Sequence, residues 1–178
     1  MVRKRLFYWE FIGFATVCLL GVLGHFLYDW TGEQQKVAAF VAVNESVWEH
    51  MKLLYVPYFL YTLAECFTLA RELENFLAAK AAGALTGILT IPLIHYSLSG
   101  AFGTLPDFVN IAIFFLSAGA AFWVSHRIMK QDRLRGGWWQ AAGFLLLWGL
   151  LLLFVLWTYH PPMLPLFADP VTGQHGIV

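Results

Sequence analysis

The sequence predicts an all-α polytopic membrane bundle with about five transmembrane helices. Three observations carry that expectation. Hydrophobic residues make up 60% of the 178 and charged residues 12%, about half the charged share of an ordinary soluble domain. The mean hydropathy is +0.65. Five apolar stretches recur along the chain, each close to the ~20 residues a helix needs to cross the hydrocarbon core.

The stretches run over about 7–28, 47–69, 76–96, 108–128 and 139–159. Lipid offers no partner for free backbone groups, so helices are the expected form. The alternation of a membrane β-strand is absent. The first stretch follows Arg3-Lys4-Arg5 and runs past Leu20 to Tyr28 without an Ala-x-Ala site. It therefore reads as a retained span rather than a cleaved signal. Gly21 and Gly24 on the first span, and Ala79, Gly83 and Gly87 on the third, form small-residue faces for close helix packing. Pro57 and Pro92 fall inside spans and predict kinks. Trp9, Trp30, Trp48, Trp138, Trp139 and Trp157 lie near span ends, as an aromatic belt requires. The apolar segment 37–43 is too short to span and reads as interfacial or re-entrant.

Lys and Arg set the expected orientation. Arg3, Lys4 and Arg5 precede the first span, Arg71 and Lys80 flank the second connection, and Arg127, Lys130, Arg133 and Arg135 lie in the fourth. With five spans, all of them fall on one side. The opposite loops hold only Lys36 and Lys52. The N-terminus is then cytoplasmic and the C-terminus extracytoplasmic. Residues 1–178 read as one transmembrane domain, with an extracytoplasmic tail at 160–178 that holds four of the seven prolines. Asp169-Pro170 with Gly173 predicts a defined turn, and a stiff tail is expected to fold back over the outer face.

The charge balance is 11 basic against 11 acidic residues, which removes any case for nucleic acid as a partner. Cys18 and Cys66 sit in different apolar stretches with no CxxC spacing, so each reads as a small packed hydrophobe. The sequence has no G-x-S-x-G elbow, HExxH pair or Gly-rich phosphate loop. Asn44-Glu45-Ser46 fits a glycosylation pattern, which carries meaning only in a eukaryotic secretory pathway.

Chemistry concentrates at the outer end. His25 and Asp29, four apart, share a helix face. Asn44, Glu45, Ser46, Glu49 and His50 open the second span at the same depth. His95, Asp107, His160, Asp169 and His175 fall on that side, and His126 alone of the six histidines falls on the other. The candidate binding set is His25, Asp29, Asn44, Glu45, Glu49, His50 and His160. Imidazole and carboxylate are the usual ligands of a divalent metal such as zinc. His25, Glu49 and His50, with His160 beside them, are the metal candidates, and Asp29 is a partner orienting His25. A structural reading stands next to this one. Ser46-x-x-Glu49 matches a capping box, with Asn44 as the other possible cap, and the acid then serves the helix start. Glu65 belongs either to a solvated turn with Arg71 or to the bundle interior, where it needs a partner.

Three stretches carry a resemblance: Gly24-His25-Phe26-Leu27-Tyr28-Asp29-Trp30, Ala42 to Lys52 around Asn44-Glu45-Ser46-Val47-Trp48-Glu49-His50, and the tail from Pro161-Pro162 to Asp169-Pro170-Val171-Thr172-Gly173. The chain resembles, over nearly its whole length, a domain-of-unknown-function family of small bacterial multipass membrane proteins. The resemblance implies a bundle in the bacterial cytoplasmic membrane and supplies no activity.

Three function classes stay open on the sequence. One is binding or transport of an ion or small solute through the outer polar pocket. The second is a metal-dependent membrane enzyme at the outer leaflet. The third is a structural or assembly subunit of a membrane complex. The lipid bilayer is the expected partner in each, with a homo-oligomer or another membrane protein beside it.

Overall fold

The computed structural model describes residues 2–177, without the side chains of Val2 and Arg3. The chain is all-helical: α1 (Val2–Trp30), α2 (Gln35–Ala38), α3 (Val47–Cys66), α4 (Phe76–Phe102), α5 (Asp107–Met129) and α6 (Gly137–Tyr159), then a 3-10 turn at Pro165–Phe167. Short connections alternate the helix directions. One end of the bundle therefore gathers the C-termini of α1, α4 and α6 with the N-termini of α3 and α5. That is the His25 end; the opposite one is the Glu65 end.

Four helices are long and apolar enough to cross a membrane: Lys4–Trp30 of α1, α4, α5 and α6. The fifth expected span, α3, falls short in apolarity because it carries Glu49, His50, Lys52 and Glu65. At 20 residues it is as long as the others need to be, about 30 Å at 1.5 Å per residue. Its place in the bundle explains its polarity. α3 packs against α1, α4, α5, α6 and the 3-10 turn, and 13 of its residues are buried. Packed against every other long helix, α3 turns its polar groups inward, where they find partners, and leaves Leu60 and Leu63 at the surface. The outer helices show the complement. Phe144, Leu145, Trp148, Leu152 and Leu156 of α6 are exposed, an apolar surface far larger than a water-facing domain tolerates.

The small-residue face of α4 meets α5, its most extensive partner. A Cβ on Gly87 would stand 2.9 Å from the Ala121 Cβ, and one on Gly83 would stand 2.6 Å from the Ala121 carbonyl oxygen. Gly143 lets α6 approach the α4 backbone at Leu77 in the same way. Polar cross-links add direction to this packing. The Gln140 side-chain carbonyl accepts the Leu77 N–H at 2.9 Å. The Asn75 amide donates to the Ile128 and Gln131 carbonyls at 2.8 Å each, tying the loop after α5 to the start of α4.

Several elements differ from the sequence reading. Trp48 is not a belt residue. It is 4% exposed, with Phe154, Phe167 and Trp157 ring centroids at 4.4, 4.8 and 5.1 Å. Trp30, Trp138 and Trp139 are exposed. Lys80 does not flank a loop; it lies one turn inside α4 and is buried. The segment 37–43 tucks into the His25 end, with Ala38, Ala39, Val41 and Ala42 buried. The tail folds back over that end. Phe167 plugs the aromatic cluster, Asn44 donates to the Gly176 carbonyl at 3.0 Å, and Asp169 caps its own turn through the Val171 N–H and the Thr172 hydroxyl at 2.9 and 2.8 Å.

Candidate functional site

The start of α3 positions the candidate site. Ser46, in an extended conformation, is the N-cap, and its hydroxyl accepts the Glu49 N–H at 3.3 Å. The Asn44 side chain accepts the Ser46 N–H at 2.9 Å, the Asx turn that this residue favours. The two bonds fix the chain on either side of Glu45, whose side chain stays at the surface. One turn into α3, His50 Nδ1 lies 2.9 Å from the Ser46 carbonyl oxygen. A carbonyl only accepts, so Nδ1 carries the proton and Nε2 faces the other way.

What Nε2 faces is Glu45. His50 Nε2 lies 3.8 Å from Glu45 Oε2, and His25 Nε2 of α1 lies 3.4 Å from the same oxygen. The imidazole rings meet edge to face with centroids 5.6 Å apart. One ligand atom from each of the three residues lies within 4.8 Å of the others. His25 draws the Glu45 carboxyl below the ordinary carboxylate range by hydrogen bonding and charge. A tetrahedral ion with 2.0–2.1 Å bonds places its ligands about 3.3 Å apart. The two distances to Glu45 are close to that, and rotations of the partly exposed side chains bring the two imidazoles, now within 4.8 Å, to the same spacing. The His50 bond to the Ser46 carbonyl is the outer contact that metal-binding histidines ordinarily make.

The other expected residues are placed differently. Glu49 turns into the bundle, away from His25 and His50. Its Oε2 lies 2.6 Å from Lys52 Nζ and accepts the Val43 N–H at 3.2 Å. Lys52 also donates to Thr158 Oγ1 at 2.7 Å and to the Ala38 carbonyl at 2.8 Å, which uses all three ammonium protons. The ion pair thus ties α3 to α6 and to the 37–43 segment. Only half of the capping box forms, since Glu49 reaches Val43 rather than back to Ser46. Asn44 makes the turn and holds the tail. Asp29 is exposed and, among the described residues, makes no hydrogen bond to His25. His160 is the exposed C-cap of α6 and lies outside the group of three. His95 lies 3.1 Å from the Asn110 side chain. Two surface depressions, one against Phe14 and Trp123 and one against Lys4 and Tyr8, are apolar and lie away from these residues.

A second polar centre lies at the Glu65 end. Glu65 faces the interior, and its partner is Lys80, which also pairs with Glu10 of α1. Glu10 and Ser125 were not singled out in the sequence. The signal available was Glu10 itself, an acid placed within the first apolar run, where an ionisable group is costly.

The family model of DUF6512, a family of unknown function, matches residues 2–177. The chain belongs to DUF6512. No curated protein and no solved structure matches it. This chain is an all-helical bundle whose one open, convergent set of ligand-type side chains, among the described residues, is His25, Glu45 and His50.

Proposed function

We propose that this DUF6512 protein is a multipass membrane protein that binds a divalent transition-metal ion at its extracytoplasmic end through His25, Glu45 and His50. On this reading α3 crosses the bilayer packed against all four apolar helices. The Lys and Arg distribution supports a cytoplasmic N-terminus, which puts the three residues outside.

The observation that carries the proposal is the orientation of His50. Its Nδ1 is committed to the Ser46 carbonyl, so its Nε2 is directed at a carboxylate already beside a second imidazole. Two imidazole nitrogens and a carboxylate oxygen converge on one point, and a metal ion there takes the place of the proton that otherwise joins His25 to Glu45. Nitrogen and oxygen donors of this kind suit zinc and its neighbours. Three protein ligands leave a fourth position for water or an incoming group.

The test is metal content and Zn²⁺ or Co²⁺ titration of the protein purified in mild detergent without chelators. The expected result is one equivalent in wild type, lost in His25→Ala, His50→Ala and Glu45→Ala. Folded wild-type protein that takes up no metal overturns the proposal. Folded Glu49→Gln is expected to keep the metal, because that side chain faces Lys52.

A further inference from the structure

The second polar centre draws one side chain from each of four helices. Glu10 on α1 is 5% exposed, and Glu65 on α3, Lys80 on α4 and Ser125 on α5 are fully buried. The Lys80 ammonium pairs with Glu10 Oε1 and with Glu65 Oε2. The Ser125 hydroxyl donates to the remaining Glu10 oxygen. Rings wall off the ammonium: the Phe122, Tyr58 and Phe76 centroids lie 5.0, 5.5 and 5.9 Å from Nζ.

The charges do not balance. Two carboxyl groups share one ammonium, so full ionisation would leave one uncompensated negative charge sealed from solvent, an expensive state. The Glu49–Lys52 pair at the other end has no such surplus. Glu65 supplies the second observation. Its Oε1 is buried without a hydrogen-bond partner, and Thr62 Oγ1, one turn earlier on α3, is buried and unpartnered as well. The site thus has acceptor capacity and one missing positive charge.

We propose that Glu10, Glu65 and Lys80 form a proton-binding site that holds one proton on its carboxyl pair. Three alternatives for the missing charge fit less well. A metal cation would need the space between the carboxylates, which the Lys80 ammonium occupies. His126, next to Ser125, makes no ion pair with either carboxylate among the described residues; its Nδ1 has no partner, and its ring packs against Phe7 at 6.3 Å. Arg5, the closest arginine on α1, is committed to Glu72 at 2.8 Å. The tyrosines facing the centre donate elsewhere, Tyr58 to the Lys80 carbonyl and Tyr61 to the Trp9 carbonyl. The site is independent of the metal reading, because it lies at the opposite end of α3 and shares no residue with it.

Charge balance makes the test stoichiometric. Infrared spectroscopy of the purified protein at neutral pH reads protonated carboxyl groups by their C=O stretch, separate from carboxylate and amide bands. The expected result is one protonated carboxyl in wild type. Glu65→Gln and Glu10→Gln each leave one carboxylate against one ammonium, so the band is expected to vanish in both, and not merely in the variant that lost the protonated residue. Lys80→Met leaves two carboxyls and no cation, and the band is expected to double. His126→Gln is expected to leave it unchanged. Circular dichroism and size-exclusion profiles check folding, and the two Gln variants carry the test if the Lys80 variant does not fold. No band in folded wild type overturns the proposal, as does a band that persists in both folded Gln variants.

Discussion

Lys52 Nζ lies 2.6 Å from Glu49 Oε2, one turn away on the same helix, and the two side chains are 0% and 2% exposed. The pair explains why the central helix reads as too polar to span. Its charges cancel within a turn of helix, and the leftover donors close on α6 and on the 37–43 segment. Removing one partner strands the other. Lys52→Met is expected to destabilise the bundle by about 3–5 kcal/mol, and Glu49→Met similarly. The double variant removes both charges and is expected to recover most of that loss, or to exceed wild type by about 1–4 kcal/mol. Thermal unfolding in detergent of the two singles and the double checks it. A double variant as weak as the worse single would mean that the pair matters for its shape and not for its charge.

Glu45 makes a pH prediction of defined sign. His25 holds its carboxyl below the ordinary value, so the charged form is favoured in the folded state. Such a group adds stability above its unfolded value, about 4.3, and loses it as pH falls through the lower folded value. Wild type is therefore expected to be more stable than Glu45→Gln near pH 5, where ordinary imidazoles are charged. The gap is expected to close below about pH 4 as the carboxyl protonates. Its size is small, under about 1 kcal/mol, because the side chain is 46% exposed. Stability measured against pH for both proteins checks it. A gap that widens on acidification contradicts the ion pair.

Gly143 and Gly149 lie on the same helix and are expected to respond oppositely to alanine. A Cβ on Gly143 would stand 2.6 Å from the carbonyl carbon and oxygen of Leu77 and 2.7 Å from the Ala78 nitrogen. Backbone cannot yield as a side chain does, so α6 must move off α4. Gly143→Ala is expected to cost about 1–3 kcal/mol. Gly149 has open space around its Cβ direction, and Gly149→Ala is expected to stabilise by up to about 1 kcal/mol through helix propensity. Unfolding of the two variants side by side in one detergent checks the contrast.

The helices were legible in the sequence because apolarity over 20 residues is a local signal, and so was the small-residue face of α4. The shielding of α3 was not, since it depends on which helices surround it. The same limit governed the site. His25, Glu45 and His50 were all among the candidates, but sequence spacing favoured Glu49 over Glu45 as the acid beside the histidines. Helical phase from Ser46 puts Glu49 on the inner face, while Glu45, before the first helical residue, escapes that phase. Lys80 was read as a loop charge because it lies near a span end; its depth comes from Glu10 and Glu65, which lie 70 and 15 residues away in the chain. Trp48 looked interfacial for the same reason; α6 and the returning tail together bury it.

That return gives the last prediction. Phe167 is 2% exposed and faces Trp48 and Trp157 with centroids at 4.8 and 5.4 Å. Asp169, two residues on, organises only its own turn. The two residues therefore separate docking from local shape. Phe167→Ala removes the plug and is expected to cost about 3–5 kcal/mol at this end of the bundle, with protease cleavage appearing between residues 160 and 178. Asp169→Ala is expected to loosen the turn by about 1 kcal/mol, the scale of a lost hydrogen bond, without freeing the tail. Limited proteolysis with mass readout checks both. Equal protection of the two variants would mean that the Asn44–Gly176 bond and the packing of Ile177 against the 37–43 segment hold the tail without the ring.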